Sequence, residues 1–122
     1  MSTFEIPNLT MAIARREDVA DAWTRDATLV SAAAAGDEAA RAEVAGRLLD
    51  RVRAMAGYMA GGEPVAEDLA QSALIEILKG LGSFRGDSKL ETWADRVAAR
   101  SILRNLKRSR KRRWRFTLFE RA

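Results

Sequence analysis

Apolar positions along this chain recur at intervals of three and four. Val44, Leu48, Val52 and Met55 keep that spacing in a stretch rich in Ala, Leu, Arg and Glu, which predicts a helix with one buried face. Asp37, just after Gly36, is placed to cap it, and the helix is expected to run to about Met59. A shorter helix is expected before it, over Ala27–Ala35. Gly61-Gly62-Glu63-Pro64 reads as a turn. A third helix is expected over Val65–Lys79 and a fourth over Leu90–Arg110. Between them lies a loop, Gly80–Ser88, in which Gly86 permits a tight turn and Asp87 or Ser88 is placed to cap the fourth helix. No alternating run is long enough for a convincing strand. The pattern predicts an all-α bundle of about four helices over residues 27–113. Residues 1–26 are a weakly patterned extension, loose or forming a short added helix. Residues 114–122 read as a C-terminal tail or the start of a linker.

The third helix has one position out of pattern. At ~100° per residue, Ala66, Ala70, Ala73, Leu74, Ile77, Leu78 and Leu81 gather on a core face. Glu67, Asp68, Gln71, Ser72, Glu76 and Lys79 take the other side, and Ile75 falls among them. A single exposed isoleucine is ordinary. An apolar anchor ringed by acids and amides is also what a basic helical partner would grip.

The fourth helix divides more sharply. Ala94, Ala98, Ala99, Ile102, Leu103 and Leu106 fall on one arc, expected to face the core. Trp93 falls on the other, with Arg96, Arg100, Arg104, Lys107 and Arg108 within ~60° on either side. From Arg96 to Arg115 the chain carries ten bases and no acid, while the rest carries eleven bases against seventeen acids. Arginine stems covering a surface indole would explain the tryptophan without any ligand. An aromatic platform inside a cationic groove explains the charge as well, because phosphates need cations and unstacked bases need an aromatic face. A membrane surface fits poorly, since the arc opposite the charge is mostly alanine and would anchor weakly.

Composition narrows the chemistry. Among 122 residues there is no cysteine and no histidine. Disulfides, thiol chemistry and the usual zinc sites are excluded, and the commonest general base is missing. No catalytic constellation or metal site is visible, no cofactor is expected, and the chain is not read as an enzyme. Gly80, Gly82 and Gly86 lack the spacing of a phosphate-cradling loop. No apolar run reaches the ~18 residues of a membrane span, and the first residues lack a signal pattern, so a cytoplasmic location is expected.

The segments AEDLAQSALIEIL and FRGDSKLETWADRVAARSILRNLKRSRKR closely resemble region 2 of bacterial sigma factors, especially the extracytoplasmic-function group. LVSAAAAGDEAARAEVAGRLLDRV resembles the start of the same region, so the likeness covers about Leu29 to Arg113. It implies a helical domain that docks on the clamp helices of the largest RNA polymerase subunit. It also implies recognition of the promoter minus-ten element and capture of its non-template strand during melting. By position, Asp68, Gln71, Ile75 and Glu76 would meet polymerase. Arg85, Gly86, Asp87 and Ser88 would hold a flipped base. Trp93, Arg96, Arg100 and Arg104, with Lys107 and Arg108 beyond them, would meet melting DNA. An anti-sigma factor is a further partner of this kind of domain.

The chain also departs from the family. Leu74 stands where members often have Phe, Ala94-Asp95 where bulky residues often follow Thr-Trp, and Arg100 where Asn is frequent. Full members add a second helix-turn-helix domain that reads the minus-thirty-five element, and only a few residues follow the basic run here. Two other readings therefore stand beside initiation: a decoy that occupies polymerase without starting transcription, and a generic basic nucleic-acid-binding helical protein.

Overall fold

A computed structural model describes residues 7–121, with helices α1 (Pro7–Ala34), α2 (Glu38–Ala60), α3 (Ala66–Lys79) and α4 (Leu90–Arg121). A 3₁₀ turn, Leu81–Ser83, lies between α3 and α4, and no strand occurs among the described residues. The expected all-α bundle is the observed one. Helix α2 packs on each of the other three helices, α3 packs on α4, and α1 also touches the 3₁₀ turn.

The core follows the three-and-four spacing. Val44, Leu48 and Val52 of α2 are buried with Leu69 and Ile77 of α3, Leu81 of the turn, and Leu90, Ile102 and Leu106 of α4. Alanines fill the closest approaches: Ala33, Ala56, Ala73 and Ala98 are all fully buried. Small side chains let the helix axes draw together, which keeps packing dense without many bulky residues. Leu103, expected in the core, is instead 47% exposed. The buried line on α4 runs Leu90, Ala94, Ala98, Ile102, Leu106. It steps by four and leaves Leu103 behind its edge.

Local signals explain the joints. Asp37 caps α2 as expected, its Oδ1 accepting from the Ala40 N–H at 3.0 Å. Gly61 closes α2 in the left-handed conformation, with φ 59°. The cap of α4 is a different matter. Neither Asp87 nor Ser88 supplies it. The Leu90 N–H donates to Asp26 Oδ2 of α1 at 3.0 Å, and the Ser88 hydroxyl donates to the Lys89 carbonyl.

Two helices are longer than the apolar pattern implies. The helix expected over Ala27–Ala35 is the end of α1, which begins at Pro7, and α4 continues past Arg110 to Arg121. Val19 is 42% exposed, and every residue from Arg110 to Glu120 is exposed. The end of α4 lies outside the bundle, so it carries no core face for the sequence to betray.

Candidate nucleic-acid interface

Ion pairs set the pose of α4 before any functional surface is considered. Arg47 of α2 donates to Asp26 of α1 at 2.8 Å and to Glu91 of α4 at 2.6 Å. Arg51 of α2 forks onto Asp95 of α4 at 2.6 and 2.7 Å. Burial opposes ionisation of Asp26. The hydrogen bonds from Arg47 and the Leu90 N–H outweigh it, together with the charges of Arg47 and Arg25, and hold the carboxyl below its ordinary value. The same contacts, Asp26 first and then Glu91, raise Arg47 against its own desolvation. Both acids of the first turns of α4 are thus turned toward α2 and neutralised there. From Arg96 to Phe119 the helix has no acid of its own.

The other side of α4 holds the expected nucleic-acid residues. Arg96, Arg100, Arg104, Lys107 and Arg108 are exposed. Trp93 is not freely exposed among them. It is half-buried and packs against the core, meeting Phe84 edge-on with ring centroids 5.6 Å apart and an interplanar angle of 64°. Gly80 lies beside it: a Cβ there would touch Trp93 Cη2 at an ordinary 3.8 Å and crowd the Glu76 carbonyl oxygen at 3.2 Å. A wheel drawn on α4 alone cannot register Gly80 and Phe84, because both come from the preceding connection. The indole therefore forms the rim between core and cationic stripe.

On α3, Asp68, Gln71 and Ile75 are exposed, Ile75 at 51%. Glu76 is half-buried and is ion-paired to Arg104 of α4. The acid-and-amide face of α3 and the cationic stripe of α4 are therefore adjoining. They meet along a groove of about 380 Å³ lined by Glu76, Lys79, Gly80, Arg100 and Arg104.

The loop before α4 opens onto a second cleft. Arg85 and Asp87 are exposed, while Gly86 and Ser88 are partly buried. Gly86 has φ 76°, and a Cβ on it would meet Ala27 Cβ at 3.2 Å, so only glycine fits the turn against α1 comfortably. Arg85 and Gly86 line one wall of a cleft of about 770 Å³, and Trp23, Thr24, Thr28 and Ser31 of α1 line the other. The Trp23 Nε1–H is buried and has no hydrogen-bond partner among the described residues. Sequence reasoning missed this α1 wall. The one available signal was a lone tryptophan in a stretch otherwise of charged residues, alanine and threonine.

Among the described residues there is no cluster of acids fit to hold a metal ion, and no helix is long and apolar enough to cross a membrane. No curated protein and no solved structure matches the chain. The family model for sigma-70 region 2 matches residues 44–113, from within α2 to the basic run of α4. With more than half its length inside that match, the chain belongs to the sigma-70 region 2 family of transcription initiation factors.

Proposed function

We propose that this domain binds core RNA polymerase through the exposed face of α3 and takes the melted minus-ten element along α4. Asp68, Gln71, Ile75 and Glu76 form the polymerase face, with Ile75 as its apolar anchor on the clamp helices of the largest subunit. Trp93, Arg96, Arg100, Lys107 and Arg108 hold the non-template strand. A flipped base enters the cleft between α1 and the loop, where Arg85, Asp87 and Ser88 offer donors and acceptors and Gly86 allows close approach. Strand opening draws on binding energy alone: stacking contributes ~1–3 kcal/mol per captured base, and phosphate contacts add salt-dependent affinity.

The observation that carries this reading is that the α3 face with exposed Asp68, Gln71 and Ile75 adjoins the cationic stripe of α4 through the Glu76–Arg104 ion pair. Co-sedimentation with core RNA polymerase tests its first half. The wild-type chain is expected to travel with polymerase, and Ile75→Glu is expected to weaken that association by ~30-fold or more, the loss of a central anchor. Equal association of both proteins removes α3 from the polymerase interface. Run-off transcription then separates initiation from mere occupancy, since a decoy binds core without yielding a promoter-specific transcript.

A further inference from the structure

We propose that the nucleic-acid surface of α4 does not end with the bundle but continues onto the free end of the helix, where Trp114 is a second stacking platform for single-stranded nucleic acid. The inference rests on the DNA role proposed for α4 and extends it beyond the span matched by the family, residues 44–113.

The register of the helix carries the argument. Helix α4 is unbroken from Leu90 to Arg121. At about 100° per residue, Trp93, Arg96, Arg100, Lys107, Lys111 and Trp114 share an arc of about 60°, and Leu118 falls within it. The stripe that starts at one tryptophan thus returns to another, 21 residues on, or about 32 Å along the axis. Trp114 is 65% exposed, and the one acid between the two, Asp95, is paired to Arg51 of α2 on the other side of the helix.

The flank of the same segment supplies a second observation. Arg110 and Arg113 fall outside that arc, and both are held by Glu63 in the α2–α3 turn, at 3.3 and 2.8 Å. Glu63 therefore engages the two guanidiniums that turn toward the bundle and leaves Lys111 and Arg115 to solvent with Trp114. The ion pairs act as a strut that fixes which face of the free end points outward.

Charge and register choose the occupant. Lys111 and Arg115 lie between the apolar side chains of this segment, with Arg115 between Leu118 and Phe119 on the wheel. A bilayer would have to take in a guanidinium at the centre of the apolar arc, whereas an amphipathic surface helix keeps its cations on the opposite face. Cations alternating with aromatic rings match a sugar-phosphate backbone with its bases splayed. At about 3.4 Å per nucleotide, the two tryptophans span on the order of nine nucleotides.

The test is the affinity of the free full-length chain for oligo-dT of 5 and of 20 nucleotides, with a 20-base-pair duplex as control. Wild type is expected to gain affinity from the short to the long strand. Trp114→Ala is expected to lose roughly 5- to 100-fold on the long strand, to leave the short one unchanged, and to affect the duplex little. Lys111→Ala combined with Arg115→Ala is expected to lower the salt slope on the long strand by about 1.4. An unchanged long-strand affinity for Trp114→Ala, or an equal loss on the duplex, overturns the inference. So does a Trp114-dependent binding to phosphatidylserine vesicles, or a Trp114-dependent self-association, without the DNA effect. If wild type binds the 5-mer and only the gain with length is missing, this inference fails and the DNA role of the bundle stands. If wild type binds neither strand, that role fails as well.

Discussion

Asp26 Oδ2 accepts the Leu90 backbone N–H at 3.0 Å, so the first turn of α4 is capped by a residue 64 positions earlier in the chain. The same carboxylate receives Arg47 of α2. One buried side chain thus joins three helices at the point where α4 begins, three residues before Trp93. A cap supplied within the loop would fix only the local turn. A cap supplied by α1 fixes the direction in which α4, and the cationic stripe on it, leaves the bundle.

This joint predicts a specific pH dependence. The folded-state pKa of Asp26 is depressed below its ordinary 3.8, so its contribution to stability is present above that value and is lost as pH falls through the folded one. Asp26→Asn removes the charge and is expected to destabilise the protein by about 2 kcal/mol near neutrality. Urea denaturation of both proteins from pH 7 down to pH 2 checks this. The gap is expected to hold down to about pH 5 and to shrink below the ordinary carboxylate value.

Gly86 makes the loop fit α1. Its φ of 76° disfavours any side chain, and the nearest neighbour, Ala27 Cβ, stands only 3.2 Å from where a Cβ would be. Gly86→Ala is expected to cost about 1–2 kcal/mol. Gly82→Ala is expected to cost less, since a Cβ there meets nothing within 4 Å and its φ is not positive. Thermal unfolding of the two variants side by side measures the difference.

Arg104 is engaged by Glu76 when the chain is alone. A docking partner that takes Glu76 would free that guanidinium for a phosphate. Glu76→Gln is expected to leave stability within about 1 kcal/mol, because both side chains are well solvated. It is also expected to steepen the salt dependence of single-stranded DNA binding by about 0.7 in the log–log slope, the signature of one added contact. Fluorescence anisotropy across a salt series reads that slope directly.

Much of this arrangement was legible in the sequence because it repeats within one element. The core faces of α2 and α3, the Asp37 cap, the exposed Ile75 and the cationic stripe each follow from spacing inside a single helix. Contacts between elements were not legible. Asp26 over Leu90, Glu76 with Arg104, and Trp93 tucked against Phe84 and Gly80 each join residues that no periodicity relates. Trp93 shows the cost: its wheel position among arginines was right, but its ring is partly covered by Phe84, from a loop the wheel does not contain. The free ends of α1 and α4 escaped for another reason. Residues 110–120 of α4 form helix without burying a face, and the stretch of α1 before Ala27 is only weakly patterned, so the apolar spacing stays silent on both.

The central claim, that α4 takes unpaired DNA while α3 holds polymerase, is tested most directly by measuring DNA affinity in the polymerase-bound state. Core RNA polymerase saturated with this chain is titrated with a random-sequence single-stranded pool and with the corresponding duplex, for wild type and for Trp93→Ala. Circular dichroism first confirms that the variant is folded at the working temperature, since Trp93 also packs against Phe84. The account predicts that the wild-type complex prefers the single strands by about tenfold or more, and that Trp93→Ala erases most of this preference while duplex affinity changes little. Equal affinity of the wild-type complex for both DNAs, or an equal loss on both in the variant, contradicts it.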